Sequence, residues 1–180
     1  MVMELAKLSA PLRGDQINFR VQSINRGGYA TLLAYKDARC DMERLDDVCT
    51  PFGWRREHSR DNRNCTIYIY DEAKDFWVGK EDCGTESLTE AEKSVASDSF
   101  KRAGFNWGIG RELFSYPTVQ VKLSDQEFEV NGQQVRATWR LKLKEWKWFN
   151  QFDPMGKLTF LAGKDEEGQM RFKWGDFRDE

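Results

Sequence analysis

Two adjacent cations, Lys101 and Arg102, lie inside the stretch Ser94–Arg111, SVASDSFKRAGFNWGIGR. Small residues surround them (Ala96, Ser97, Ser99, Ala103 and Gly104), and the apolar positions recur at helical spacing. A basic pair on a closely packed helix is suited to holding a polyanion, because lysine and arginine neutralise phosphates without reading a sequence. Arg111 follows the glycine-flanked Trp107-Gly108-Ile109-Gly110, where the helix is predicted to stop or bend. A second basic stretch holds Arg136, Arg140, Lys142, Lys144 and Lys147, with Trp146, Trp148 and Phe149 among and after them. Aromatic rings can stack bases. Each stretch also has a purely structural reading: Trp107 as core packing at a helix end, and the alternating cations as the wet face of a sheet.

Other chemistries find less support. Glu81, Asp82 and Glu86 are the nearest approach to an acidic cluster. A metal-dependent nuclease would need such acids to converge on an ion, whereas a polar loop simply solvates them. The glycines at 108 and 110 follow a helical pattern instead of a strand, and there is no GxxxxGK[ST] run, so ATP binding has no basis. His58 is the only histidine, in the polar run RREHSRDNRN. Cys40, Cys49, Cys65 and Cys83 form no CxxC pair and read as reduced thiols, some of them buried. No cofactor or metal is expected.

The elements that would position these groups follow from pattern and punctuation. Ile17, Phe19 and Val21 alternate with polar residues, Arg26-Gly27-Gly28 marks a turn, and Tyr29–Tyr35 returns, which predicts a hairpin with Arg20 and Arg26 on or beside it. Asp37 can cap a helix through Ala38, Met42, Leu45 and Cys49, ended by Pro51 and Gly53. A meander is expected from Trp54, through CTIYIY (65–70), to Phe76-Trp77-Val78, with 79–86 as loop. Ser87-x-x-Glu90 has the form of a capping box opening the long helix. After Pro117 come strands at 119–123 and 128–130, an Asn131-Gly132 turn, alternation from Val135 to Leu143, and a last hairpin around Lys164–Gly168. This tail reads as a β-rich appendage or as strands added to the main sheet.

At 180 residues the chain can bury a real core. Its 39% hydrophobic and 13% aromatic content excludes wholesale disorder. The formal net charge of −2 means that any anion-binding surface must be local. No apolar run reaches the length of a membrane span, and MVMELAKLSAPLRGD lacks a signal-peptide core, so a cytoplasmic protein is expected.

Taken in order, Tyr35-x-Asp37-x-Arg39, Phe52-Gly53-Trp54, Ser97-Asp98-x-x-Lys101-Arg102-Ala103 and Trp107-Gly108-Ile109-Gly110-Arg111-x-Leu113-Phe114 resemble the phage single-strand annealing proteins of the Sak type, in the Rad-fifty-two superfamily. Phe19-Arg20-Val21 matches the opening of that pattern. The resemblance spans about residues 8–117. It implies an α+β fold, a curved antiparallel sheet (a β-β-β-α core) packed on a long helix. Residues 1–117 would then be the annealing core and 118–180 a C-terminal extension rich in β-hairpins. It further implies side-by-side assembly into rings or helical filaments, with single-stranded DNA in a basic groove, and annealing without ATP, metal or enzymatic chemistry in the cytoplasm of a bacterial host. Lys101 and Arg102 match the helix pair on the phosphate backbone, and Arg20 a groove arginine. Arg26 is added for its place on the neighbouring turn. Phe105 stands where eukaryotic members carry a further arginine, which implies either a less positive groove or compensation by another residue such as Arg111.

The function expected on this basis is ATP-independent binding of single-stranded DNA and annealing of complementary strands, in recombination and repair. A single-strand-binding protein is a candidate partner. The alternatives are a module that protects single strands without annealing them, and the metal-dependent nuclease.

Overall fold

A computed structural model describes residues 4–85 and 91–177, the side chains of 91–94 excepted. The capping box at Ser87–Glu90 lies outside the described residues. In chain order the elements are β1 (Asn18–Ile24), β2 (Tyr29–Tyr35), α1 (Ala38–Cys49), β3 (Trp54–Ser59), β4 (Asn64–Asp71), β5 (Phe76–Cys83), α2 (Ala91–Asn106), β6 (Val119–Lys122), β7 (Phe128–Asn131), β8 (Gln134–Ala137), β9 (Lys147–Phe152), β10 (Leu158–Lys164) and β11 (Met170–Gly175). The chain divides into two compact units: Met1–Pro11 with Lys36–Arg111, and Leu12–Tyr35 with Glu112–Glu180. Among the described residues no helix is long and apolar enough to cross a membrane.

The expected curved sheet packed across a long helix is not what forms. The described residues are mostly β, eleven strands in four small sheets, with two α-helices of 12 and 16 residues. Strand pairing explains the difference: the β1–β2 hairpin takes β6 as its third strand, while β3, β4 and β5 close a separate meander. α2 runs only about 24 Å. It stops because Gly108 and Gly110 adopt φ of 99° and 71°, a left-handed conformation that ends helices.

In the first unit, Asp37 caps α1 as expected, its Oδ1 accepting from the amides of Arg39 (2.8 Å) and Cys40 (3.2 Å). Strand β4 alternates: Cys65, Ile67 and Ile69 are buried against Leu45, Phe100, Ala103 and Ile109, while Thr66, Tyr68 and Tyr70 face the other way. Strand β5 continues to Cys83, through residues expected to be loop, because every residue from Phe76 to Cys83 pairs with β4.

A fully buried ion pair, Lys36 with Asp41, lies in this unit. Lys36 Nζ also donates to the Lys101 carbonyl at 3.2 Å and lies 4.3 Å from the centre of the Phe105 ring. Burial lowers the pKa of Lys36 and raises that of Asp41 to about 6, each opposed by the charge of the other. Gly104 makes room for the pair, since a Cβ there would strike Asp41 Oδ1 and crowd Lys36 Nζ.

The second unit buries Ile17, Phe19, Ala30 and Leu32 from the first hairpin, and Val119, Val121 and Leu123 from β6 and its end. Trp146, Trp148, Leu158, Phe160 and Leu161 complete this core. Phe19 and Trp148 stack with centroids 3.6 Å apart, and Gly163 leaves space for the Trp148 ring. The Asn131-Gly132 turn forms the β7–β8 hairpin as expected, with Gly132 at φ 62°. The alternation from Val135 to Leu143 does not produce one strand. β8 ends at Ala137, where the Thr138 amide bonds to Glu127 O (2.9 Å) and the Leu141 amide turns back to Thr138 O (3.2 Å).

Arg171 organises the polar interior of this unit. It binds Glu127 with two nitrogens (2.9 and 3.1 Å), reaches Asp165 Oδ2 (3.3 Å) and packs 4.7 Å from the centre of the Trp146 ring. Burial pushes the Glu127 pKa up, but the Arg171 bonds and the Ser124 amide outweigh it and hold the carboxyl below its ordinary range.

Gly104→Ala should lower stability by about 1–3 kcal/mol, read as a lower urea midpoint. Because the folded Glu127 pKa is depressed, its contribution is complete above the ordinary value of 4.5 and is lost as pH falls through the lowered one. Glu127→Gln therefore lowers stability at neutral pH and flattens the acid limb of the stability–pH curve.

Candidate nucleic-acid interface

Successive helical residues point about 100° apart, so α2 sends its two cations to different surroundings. Lys101 is half-buried beside the Lys36–Asp41 pair, where its backbone carbonyl is the acceptor for Lys36. Arg102 is exposed, with Nε 3.3 Å from Asp82 Oδ1 on β5. Asp82 also accepts from Asn106 Nδ2 at 3.3 Å. An ion pair this exposed is worth about 0–1 kcal/mol, so a phosphate can compete with Asp82 for the guanidinium.

Arg111 closes the C-terminal end of α2. Its guanidinium donates to the helix-end carbonyls of Asn106 (3.2 Å) and Phe105 (2.8 and 3.0 Å), the latter also accepting from the Gly108 amide (3.0 Å). Lys80, which the sequence did not single out, donates to the same Asn106 carbonyl at 2.9 Å and lies 4.4 Å from the Trp107 ring centre. The fold thus collects Lys80, Arg102 and Arg111 around one helix end. Lys80 was hidden because it falls in the stretch read as loop. Trp107 packs against the core and donates its indole N–H to Ile67 O at 3.0 Å.

Arg20 and Arg26 belong to the second unit. Arg20 is exposed on β1, opposite Leu33 of β2. Arg26 lies in the β1–β2 turn and donates to the Gly132 carbonyl at 3.2 Å.

The outward face of the β3–β5 meander carries a group that sequence reading missed. Arg55 lies 4.7 Å from the Tyr68 ring centre and 5.1 Å from that of Trp77, and Trp77 is 5.2 Å from Tyr70. Gly79 leaves the Tyr68 ring its space. Only the two-residue period of CTIYIY hinted at this, by sending both tyrosines away from the isoleucines. Arg55 is also paired with Glu57 at 3.0 Å.

The acidic candidates separate. Glu81 shares the outward face and accepts from Asn64 (2.8 Å) and Thr66 (3.1 Å), whereas its neighbour Asp82 faces α2. Glu86 lies outside the described residues. Among the described residues no three His, Cys, Asp or Glu side chains group as metal ligands. Cys40, Cys49 and Cys65 are buried, and burial raises each thiol to about 11, so they remain protonated at neutral pH. Burial, then the nearby Arg56 charge, lowers the pKa of His58.

No protein-family model matches this chain, and no solved structure matches it significantly. Two curated proteins do. The single-stranded DNA-binding protein DdrA of Deinococcus radiodurans is 32% identical over 114 residues, which cover 62% of this chain and 54% of that protein. The single-stranded DNA-binding protein DdrA of Deinococcus deserti is 30% identical over 126 residues, covering 68% and 62%. The chain therefore spans less than two thirds of the length of the relatives it matches.

The two arginines should separate in their effect on folding. Arg111→Ala removes bonds to helix-end carbonyls and costs about 1 kcal/mol, with faster amide exchange in the last turn of α2. Arg102→Ala loses only an exposed pair and changes stability by less than about 1 kcal/mol. Thermal melts and hydrogen exchange check both.

Proposed function

We propose that this chain binds single-stranded DNA and anneals complementary strands without nucleotide hydrolysis, as a recombination and repair protein and not as an enzyme. The observation that carries the binding reading is the similarity, at about 30% identity, to two proteins named for single-stranded DNA binding. The geometry supports it: among the described residues Arg102 is held by an exposed pair with Asp82, and Lys80 and Arg111 add charge at the same helix end. Cations placed in this way engage phosphates irrespective of sequence and leave bases free to pair. The annealing step, and self-assembly into rings or filaments, rest on the motif resemblance around Lys101 and Arg102. Assembly would add many weak interactions along one strand. In this reading Lys101, Arg102, Arg20, Arg26 and Arg111 bind phosphates, and a single-strand-binding protein is a candidate partner.

Protection without annealing is the second reading, favoured by the fact that both relatives are named for binding alone. Mixing complementary strands with the protein separates the two. Annealing accelerates duplex formation in the absence of ATP and magnesium, and protection slows it.

The Lys101→Ala/Arg102→Ala double variant should bind single strands more weakly at moderate salt. Its plot of log affinity against log salt should be shallower by about 1.4, or about 0.7 for each phosphate that the variant no longer neutralises. Unchanged affinity and slope, measured by fluorescence anisotropy, would take α2 out of the interface.

A further inference from the structure

The second unit contains a cleft of about 640 Å³, lined in part by Lys122, Trp139, Arg140, Lys142, Glu166 and Arg171. This volume is within the usual range for small-ligand sites, about 300–1,000 Å³. Trp139 is 79% exposed, an uncommon position for the largest apolar side chain. The cause is local: β8 stops at Ala137, and the turn closed by the Leu141 amide on Thr138 O carries the indole out of the strand alternation. The Arg140 guanidinium lies 4.9 Å from the centre of that ring and donates to Gln126 Oε1 at 3.1 Å.

The charges in the cleft are committed unequally. Glu127 and Asp165 are bound to Arg171. Glu166 lies 3.8 Å from Lys142, in a loose exposed pair. Arg140 and Lys122 have no carboxylate partner among the described residues, and Lys122 instead bonds the Gly27 carbonyl and lies over the Tyr29 ring. Glu167 is the one remaining acid on the rim. An exposed indole beside Arg140, which has no carboxylate partner among the described residues, and Lys142, whose loose exposed pair with Glu166 a phosphate can displace, combines a surface for a base with charge for a phosphate.

We infer that this cleft takes one nucleotide of a single strand, its base stacked on Trp139 and its phosphate held by Arg140 and Lys142. The inference rests on the single-stranded DNA reading above and adds to it an interaction that uses the base, in the part of the chain beyond the annealing motifs. The basic segment around Arg140 and Lys142, which the α2 site leaves unexplained, then has a role.

The test compares an oligothymidylate with an abasic strand of the same length, which keeps the phosphates and lacks the bases. Anisotropy is measured with the full chain. Wild type should prefer the base-bearing strand. Trp139→Ala should weaken that strand by roughly 5- to 100-fold and leave the abasic strand unchanged. Trp139→Phe, which keeps a ring, should retain most of the preference, and Arg140→Ala should weaken both strands. Trp139 is exposed, so Trp139→Ala should melt at the wild-type temperature. Wild-type binding with Trp139→Ala unchanged, or with both strands weakened equally, overturns the cleft and leaves the single-strand reading intact. A wild type that binds neither strand overturns both.

Discussion

The first unit depends on holding two opposite charges out of water. Lys36 and Asp41 are fully buried, and separating such a pair by deleting one partner typically costs about 3–5 kcal/mol. The geometry must therefore be kept, and several residues serve it. Gly104 supplies the space that any side chain would fill. The Lys101 carbonyl accepts the ammonium, and the Phe105 ring lies against it. The surroundings of Lys36 and Asp41 are thus supplied by residues 101, 104 and 105 of α2. One consequence reaches the surface: with the α2 backbone pinned here, Arg102 is turned toward Asp82 and the helix end toward Lys80 and Arg111. Phe105 is thus a partner of this buried cation.

A second constraint is the two-residue period of β4. One face supplies Cys65, Ile67 and Ile69 to the core, so the other must present Thr66, Tyr68 and Tyr70 outward. This face gathers Arg55 and Trp77 from its two neighbouring strands because the meander is antiparallel and in register, with Arg55 opposite Tyr68 and Trp77 opposite Tyr70. The same alternation divides Glu81 from Asp82 and removes their convergence as a metal pair. In the second unit the half-buried Arg171 has the organising role, tying Glu127 to Asp165, while Arg140 and Lys122 of its cleft have no acidic partner among the described residues.

Much was legible along the chain wherever local physics decides. The Asp37 cap, the α1 stripe through Leu45 and Cys49, the apolar face of β4, the turn at Asn131-Gly132 and the stop after Asn106 are all set by side-chain type and by neighbours a few residues away. The burial of Val95, Phe100 and Ala103 follows from the helical period in the same way. Lys101, Arg102 and Arg111 could be named as cations near a helix end, because the order of small, basic and glycine residues is itself the signal.

Which strands pair is a different kind of fact. Hydrogen bonding between β2 and β6 joins residues some ninety positions apart, and no periodicity within either segment records it. That choice separated the sheets and removed the expected long-helix architecture. Likewise Lys36 beside Asp41 looks like an ordinary charged pair at the start of a helix until packing closes over it. Trp139 reads as an inward strand residue until a turn held by Glu127 O releases it. Sequence alone determined the local elements and the kinds of charge available. Only tertiary structure decided which charges are buried, which are consumed by partners and which face solvent, because those outcomes depend on desolvation by segments distant in the chain.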